Sequence, residues 1–196
     1  MARVSLLYFD IDTGFYPTFH HGLASIVAVL RQDGHEVSLH HLRNGADLEN
    51  TKTTLERDRS DVVGLSFTSN QKQHVSRFLR TIDSEAVAGL LIAGGMHATV
   101  AGARLLEDFP ALDGVCIGEG EIPLRELCHR LDNKGDYQSA PSFSFKGPDG
   151  PVNNPILPLQ ELGLLPPPDY SVFDYQAIVE GNGDCFPMLV TRGCPL

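Results

Sequence analysis

Four stretches of this 196-residue chain gather residue types that hold a ligand without filling its space: Asp10 to Pro17 followed by Phe19-His20-His21-Gly22, then Ser66-Phe67-Thr68-Ser69-Asn70, Gly94-Gly95-Met96-His97-Ala98-Thr99 and Gly118-Glu119-Gly120-Glu121. Paired glycines allow positive φ and close backbone approach. The hydroxyls of Ser66, Thr68, Ser69 and Thr99 offer neutral hydrogen bonds. Together they suit a large, polar, mostly uncharged ligand. Gly-x-Gly-x-x-Gly is missing after the first apolar run, and no Gly-Lys-Ser or Gly-Lys-Thr occurs, which disfavours a dinucleotide or a P-loop nucleotide. Each stretch also has a plain structural reading: Gly94-Gly95 as a tight turn, Ser66 and Thr68 as helix caps, Glu119 as a favourable charge at a helix start.

Glu119 and Glu121 bracket Gly120 as a carboxylate pair, the pattern of general acid-base chemistry, but no second catalytic partner stands beside them. The 4 cysteines include no Cys-x-x-Cys pair, so neither a disulfide framework nor a complete zinc site is written here. Cys116 in an apolar run and Cys128 in a helical one read as small buried hydrophobes. Cys185 receives no role. Cys194, inside Thr191-Arg192-Gly193-Cys194-Pro195, has suggestive neighbours.

The elements that must carry these stretches alternate. Val4 to Phe9 reads as a buried strand, Gly22 to Leu30 as a helix with Leu23, Ile26, Val27 and Leu30 on one face, and Val37 to Leu39 as a second strand. Gly34 is placed to end the helix as a left-handed cap. Further strands are expected at Asp61 to Phe67, Leu90 to Ala93 and Gly114 to Ile117, with helices at Gln71 to Ile82, Ala98 to Glu107 and about Ile122 to Leu131. Strands alternating with helices imply right-handed crossovers and a parallel sheet covered on both faces. The expected fold is α/β, a flavodoxin-like (Rossmann-like) parallel sheet of five strands. Its ligand edge lies outside the carboxyl ends of the strands, where all four stretches fall.

Residues 1–135 are therefore expected to form the ligand-binding domain. Residues 136–184 follow as a small hairpin around Gly147-Pro148-Asp149-Gly150 and a stiff connector containing Pro166-Pro167-Pro168. Residues 185–196 begin a further domain, with Phe186 to Thr191 as its first strand. Hydrophobic residues make up 42% of the chain, enough for a proper core. A net charge of −10 argues against nucleic acid. The amino-terminal apolar run is too short for a signal segment and no stretch approaches a membrane span, so a soluble, cytoplasmic protein with no membrane partner is expected.

Phe19-His20-His21-Gly22-Leu23-Ala24, Gly34-His35-Glu36-Val37, Val63-Gly64-Leu65-Ser66, the Gly94 to Thr99 and Gly118 to Glu121 loops and the Thr191 to Pro195 tail occur in one order. In that order the chain resembles the cobalamin-binding domain of cobalamin-dependent radical S-adenosylmethionine proteins. The resemblance implies that cobalamin is held at this sheet edge by Asp12, Thr13, His20, His21, Gly22, Ser66 to Ser69, Gly94 to Thr99 and Gly118 to Glu121. It faces a radical S-adenosylmethionine barrel of the same chain acting on a small-molecule substrate, commonly as a methyltransferase. Cys194 resembles the first of three cysteines holding a 4Fe-4S cluster that binds S-adenosylmethionine. Asp10-Ile11-Asp12-Thr13-Gly14 lacks the histidine that the methionine-synthase type supplies to cobalt. His20 or His21 then either approaches cobalt or caps a helix; His97 either meets the nucleotide tail or is structural; Glu119 and Glu121 either bond a corrin amide or serve the helix start. The alternatives from other classes are a flavin-binding or receiver domain of flavodoxin type, and a glycosyltransferase-like half domain. A receiver would want an Asp where the chain has Ser66-Phe67-Thr68.

Overall fold

The structure is a computed structural model that describes residues 1–11, 18–82, 89–189 and 192. Apolar runs form β1 (Arg3–Phe9), β2 (Glu36–Leu42), β3 (Val62–Ser66), β4 (Leu90–Gly94) and β5 (Gly114–Cys116). They lie in the order β2-β1-β3-β4-β5, all parallel, as the flavodoxin-like reading requires. The sheet nevertheless has 7 strands rather than five. The expected hairpin, β6 (Phe143–Phe145) and β7 (Val152–Asn153), adds antiparallel to β5. An uncovered β5 edge would leave backbone groups unpaired. Phe143 and Phe145, stacked at 5.1 Å, also extend the core.

Helices α1 (His21–Gln32), α2 (Gly45–Asp58), α3 (Lys72–Thr81), α4 (Gly95–Ala101), α5 (Leu105–Asp108) and α6 (Glu121–Asp132) cover both faces. Period-two alternation along each strand sends Leu7, Phe9, Leu65 and Val115 toward α2 through α5, and Val4, Leu6, Ile92 and Cys116 toward α1 and α6. Two expectations need correction. The helix α2 was not anticipated, because it buries only Thr51 and Leu55 and so carries little apolar periodicity. The helix expected over Ala98 to Glu107 is two short helices separated at Gly102 (φ +58°), starting earlier, at Gly95. Of the expected strand Phe186 to Thr191, residues 186–189 have no sheet partner among the described residues, and Val190 and Thr191 lie outside them.

Beyond the hairpin the chain returns to α1. The Asp169 amide donates to the Ala24 carbonyl (2.9 Å) and Arg31 pairs with Asp169 (2.6 Å). Phe173, and Ile178 from α7 (Tyr175–Gly181), pack with Phe19 and Ala24 in a third small core. Burial pushes the Cys116 and Cys128 thiols up to about 12, which suits inert core residues. Among the described residues no helix is long and apolar enough to cross a membrane.

Candidate cofactor-binding site

A cavity of about 500 Å³ opens at the carboxyl ends of β1, β3, β4 and β5, under α1 and α6. Its origin is a run of small residues at alternate positions on one face. Gly64 sits beside Leu6 and Ile92, and Ser66 sits beside Tyr8 and Gly94. Cys116 completes the set on β5. A Cβ at Gly64 would lie 3.0 Å from Leu6 Cδ2, and one at Gly120 would lie 2.8 Å from Ile26 Cδ1. Leu23, Ile26, Ile92, Leu124 and Phe143 make the walls apolar. Polar groups converge at the mouth: His20, Ser66, Glu119, Glu121 and Arg192. A deep apolar slot with a few aimed polar groups is the usual form of a cofactor site.

His20 is the amino-terminal cap of α1. Its Nδ1 accepts from the Leu23 amide (3.1 Å), so the neutral ring carries its proton on Nε2 and donates to Ser66 Oγ (3.2 Å). Burial lowers its pKa to about 4. Both nitrogens are thus engaged and no lone pair is free for a metal. Unfolded, the same ring titrates near 6.5. Between these values the unfolded chain binds a proton that the native chain does not, so stability falls as pH drops from 6.5 toward 4 and is flat above. Burial likewise lowers His21, His35, His40 and His97, which act in the same sense. His20→Asn keeps a good cap and should shrink the stability difference between roughly pH 7 and pH 5 by up to about 2 kcal/mol, measured by urea unfolding.

Glu121, 2% exposed, pairs with Arg192 at 2.5 Å. The carboxylate also lies in the first turn of α6, where the helix dipole favours it. Arg192→Ala strands a buried carboxylate and should cost about 2–4 kcal/mol in chemical denaturation, at or below the usual range because the dipole remains. Glu121→Leu with Arg192→Ala should recover most of that loss; strict additivity would mean the pair is not coupled.

The other sequence-predicted positions divide. His20, Gly22, Ser66, Gly94, Gly95, Gly118, Glu119, Gly120 and Glu121 line the cavity. Glu119 there accepts from the Gln160 amide (2.8 Å). Thr99 braces two of these loops, accepting from the Gly118 amide (3.1 Å) and donating to the Gly95 carbonyl (3.0 Å). Ser69, in the turn before α3, and His97 of α4 share a 2.8 Å hydrogen bond beside the exposed Met96 and Thr68. Phe67, continuing the alternation of β3, and Ala98, on the buried face of α4, turn away into the opposite core. His21 bonds the Tyr170 hydroxyl (2.8 Å) in a neighbouring recess. Asp12, Thr13 and Cys194 lie outside the described residues. Sequence reasoning missed Leu6, Ile26, Leu124, Phe143 and Arg192 as lining residues. The signal that would have found the slot was the small residues Gly64, Ser66, Gly94 and Cys116 toward the carboxyl ends of β3, β4 and β5.

A parallel sheet wound in this order, with a small-residue slot at its ligand edge, defines a cofactor-binding Rossmann-like domain. The B12 binding domain family matches residues 12–128, and the chain belongs to that family. This sets aside the flavin-binding, receiver and glycosyltransferase alternatives. An uncharacterized methyltransferase of Pyrococcus horikoshii is 24% identical over 179 residues, covering 89% of this chain and 38% of that protein. The cytidylyl-2-hydroxyethylphosphonate methyltransferase of Streptomyces wedmorensis is 28% identical over 175 residues, covering 79% of this chain and 32% of that protein. The chain thus spans about a third of the length of these relatives. The cobalamin-dependent S-adenosylmethionine radical enzyme OxsB, solved with aqua-cobalamin and S-adenosylmethionine, superposes with a TM-score of 0.80 at 20% identity, over 92% of this chain and 25% of its own. The radical S-adenosylmethionine methyltransferase TsrM from Kitasatospora setae gives 0.66 at 18% identity, over 79% of this chain and 30% of its own. At these identities the two structures establish the shared fold.

Proposed function

We propose that this chain is the cobalamin-holding part of a longer radical S-adenosylmethionine enzyme, a methyltransferase acting on a small molecule. The observation that carries the reading is the slot lined by Gly64, Gly94 and Gly95 and continuous with the Gly118 to Glu121 loop. Its residues fit the group: a Cβ would fill the space, the walls are apolar, and the neutral hydroxyl of Ser66 stands at the mouth. They would hold the nucleotide tail of cobalamin in the base-off form, with the corrin lying over the exposed loops. When bound, cobalamin supplies a cobalt centre that can carry a methyl group.

The chain's own residues bind and orient. Leu23, Ile26 and Leu124 exclude water from the slot, and Ser66, already accepting from His20, keeps its own hydroxyl proton to donate to an incoming acceptor. His20, locked as a cap with both ring nitrogens engaged, would shape the wall of the site rather than serve as a ligand to the group. Thr99 holds the Gly95 and Gly118 loops together, and Glu121 anchors Arg192 at the mouth, two residues before Cys194. We place cobalamin binding in residues 1–135, a hairpin and connector in 136–184, and the start of the catalytic domain in 185–196.

Equilibrium dialysis against hydroxocobalamin, with FMN in parallel, tests the reading: retention of the corrin and not of FMN is expected. Retention of FMN without the corrin would overturn it. Electron paramagnetic resonance of the cob(II)alamin form should show no nitrogen splitting from a protein imidazole.

A further inference from the structure

We propose that Asp33, His35 and His129 bind one divalent transition-metal ion, zinc by preference, at the pole of the sheet opposite the cofactor slot. The helix α1 runs from the ligand edge at His21 to the amino-terminal edge of the strands, where Asp33-Gly34-His35 turns into β2. That turn is built by the sequence. Gly34 takes φ +85°, its amide bonds the Arg31 carbonyl (3.0 Å), and the His35 amide bonds the Leu30 carbonyl (3.0 Å). These two bonds are the Schellman pattern, which fixes the residues on either side of the glycine. His129 arrives from the last turn of α6, whose end lies beside that of α1.

One ligand atom from each of the three residues lies within 4.8 Å of the others, and His129 Nε2 stands 2.8 Å from Asp33 Oδ2. The independent observation is His35. Its side chain is 2% exposed and its Nε2 is fully buried with no hydrogen-bond partner. An unpartnered buried ring nitrogen costs free energy that a coordinated ion would recover. Nδ1 accepts from the Ala2 amide at 3.2 Å, with Asp132 Oδ2 3.7 Å away. Because Nδ1 accepts from the Ala2 amide, the metal-free ring carries its proton on Nε2; coordination there moves that proton to Nδ1 and exchanges the Ala2 hydrogen bond for one to Asp132, and a metal-bound histidine backed by a carboxylate is the common arrangement.

The surroundings favour a cation. Two helix carboxyl ends meet here, and Asp33 and Asp132 add charge. Against them stand Arg125, with Nε 3.7 Å from Asp33, and the Met1 amine on Asp132 at 2.7 Å. Arg125 must yield Asp33 when the ion enters. Two imidazoles and a carboxylate are a borderline-soft set that leaves a fourth position for water, which suits zinc.

Isothermal titration of the chain with zinc chloride should show one site of micromolar affinity or tighter, with a rise in thermal midpoint. His129 is half exposed (side chain 46%), so His129→Ala should fold normally, as circular dichroism will verify. It and Asp33→Asn should each weaken binding on the order of a hundredfold, and Asp132→Asn roughly tenfold. Cobalt(II) in place of zinc should give ligand-field bands without thiolate charge transfer, and Cys185→Ala should change nothing. No saturable site at high-micromolar zinc, binding undiminished in His129→Ala and Asp33→Asn, or loss of binding in Cys185→Ala would each overturn the proposal.

Discussion

Gly95→Val is expected to abolish retention of cobalamin while the sheet persists. Gly95 opens α4 at φ +86°, and a Cβ there would lie 2.9 Å from Ser66 Oγ and 3.5 Å from the Phe67 backbone. The neighbours on that side are a short side chain and main chain, neither of which can swing clear. Valine would add two methyl groups beyond that Cβ, on the lining of the slot. Positive φ in a β-branched residue also costs about 1–3 kcal/mol of strain, so a loss of binding must be separated from a loss of fold. Gly34 supplies the control: it has φ +85° but nothing within 4 Å of its would-be Cβ, and it sits at the far end of α1. Gly34→Val should lose comparable stability in urea and still retain the corrin. Gly95→Ala and Gly34→Ala give a milder pair. Equal retention by the two Gly95 variants and their Gly34 counterparts would remove the slot from the cofactor site.

The contrast between these glycines shows how far the sequence speaks. Gly34 was readable as a helix cap, because its function is local and is set by the residues on either side. Gly95 was readable as part of a loop, but its steric role depends on Ser66 from the neighbouring strand. The slot itself required register: Gly64, Ser66, Gly94 and Cys116 share a face only when β3, β4 and β5 are paired. The strands and the order of the five parallel ones followed from apolar runs and chain alternation. The attachment of β6 to β5 did not, since a hairpin pattern names its own turn and not the edge it joins. The helix α2 was hidden by its composition, although Asn44 and Asp47 form a reciprocal capping box whose residue types were visible. His20 had two readings, cap or ligand, and the hydrogen bonds to Leu23 and Ser66 place it as the cap. Glu121 and Arg192, 71 residues apart, could only be paired by the fold.

In the longer radical S-adenosylmethionine enzyme proposed above, Cys194→Ala is expected to remove the proposed iron-sulfur cluster and, with it, reductive cleavage of S-adenosylmethionine. The proposal rests on order and position. Arg192 is drawn to the cavity mouth by Glu121, and Gly193-Cys194-Pro195 follow it in sequence. A cysteine two positions after a residue held at the cavity is close enough in sequence to bring a redox centre near the cofactor. Three thiolates hold such a cluster while leaving one iron open for another ligand. This chain carries Cys194 and, of the remaining cysteines, two are buried and one precedes it in the exposed stretch at Cys185. One correctly placed thiolate cannot retain four irons, so residues 1–196 alone should stay colourless after anaerobic reconstitution while the longer protein turns brown. Cys194→Ala in the longer protein should then lose most of its iron and its 5′-deoxyadenosine product, with cobalamin still retained, because the slot is built from other residues. Cys185→Ala is the matched control and should keep both. Full iron content and undiminished 5′-deoxyadenosine in Cys194→Ala would show that this cysteine is not a ligand, and would leave the cobalamin reading of residues 1–135 standing without its catalytic partner.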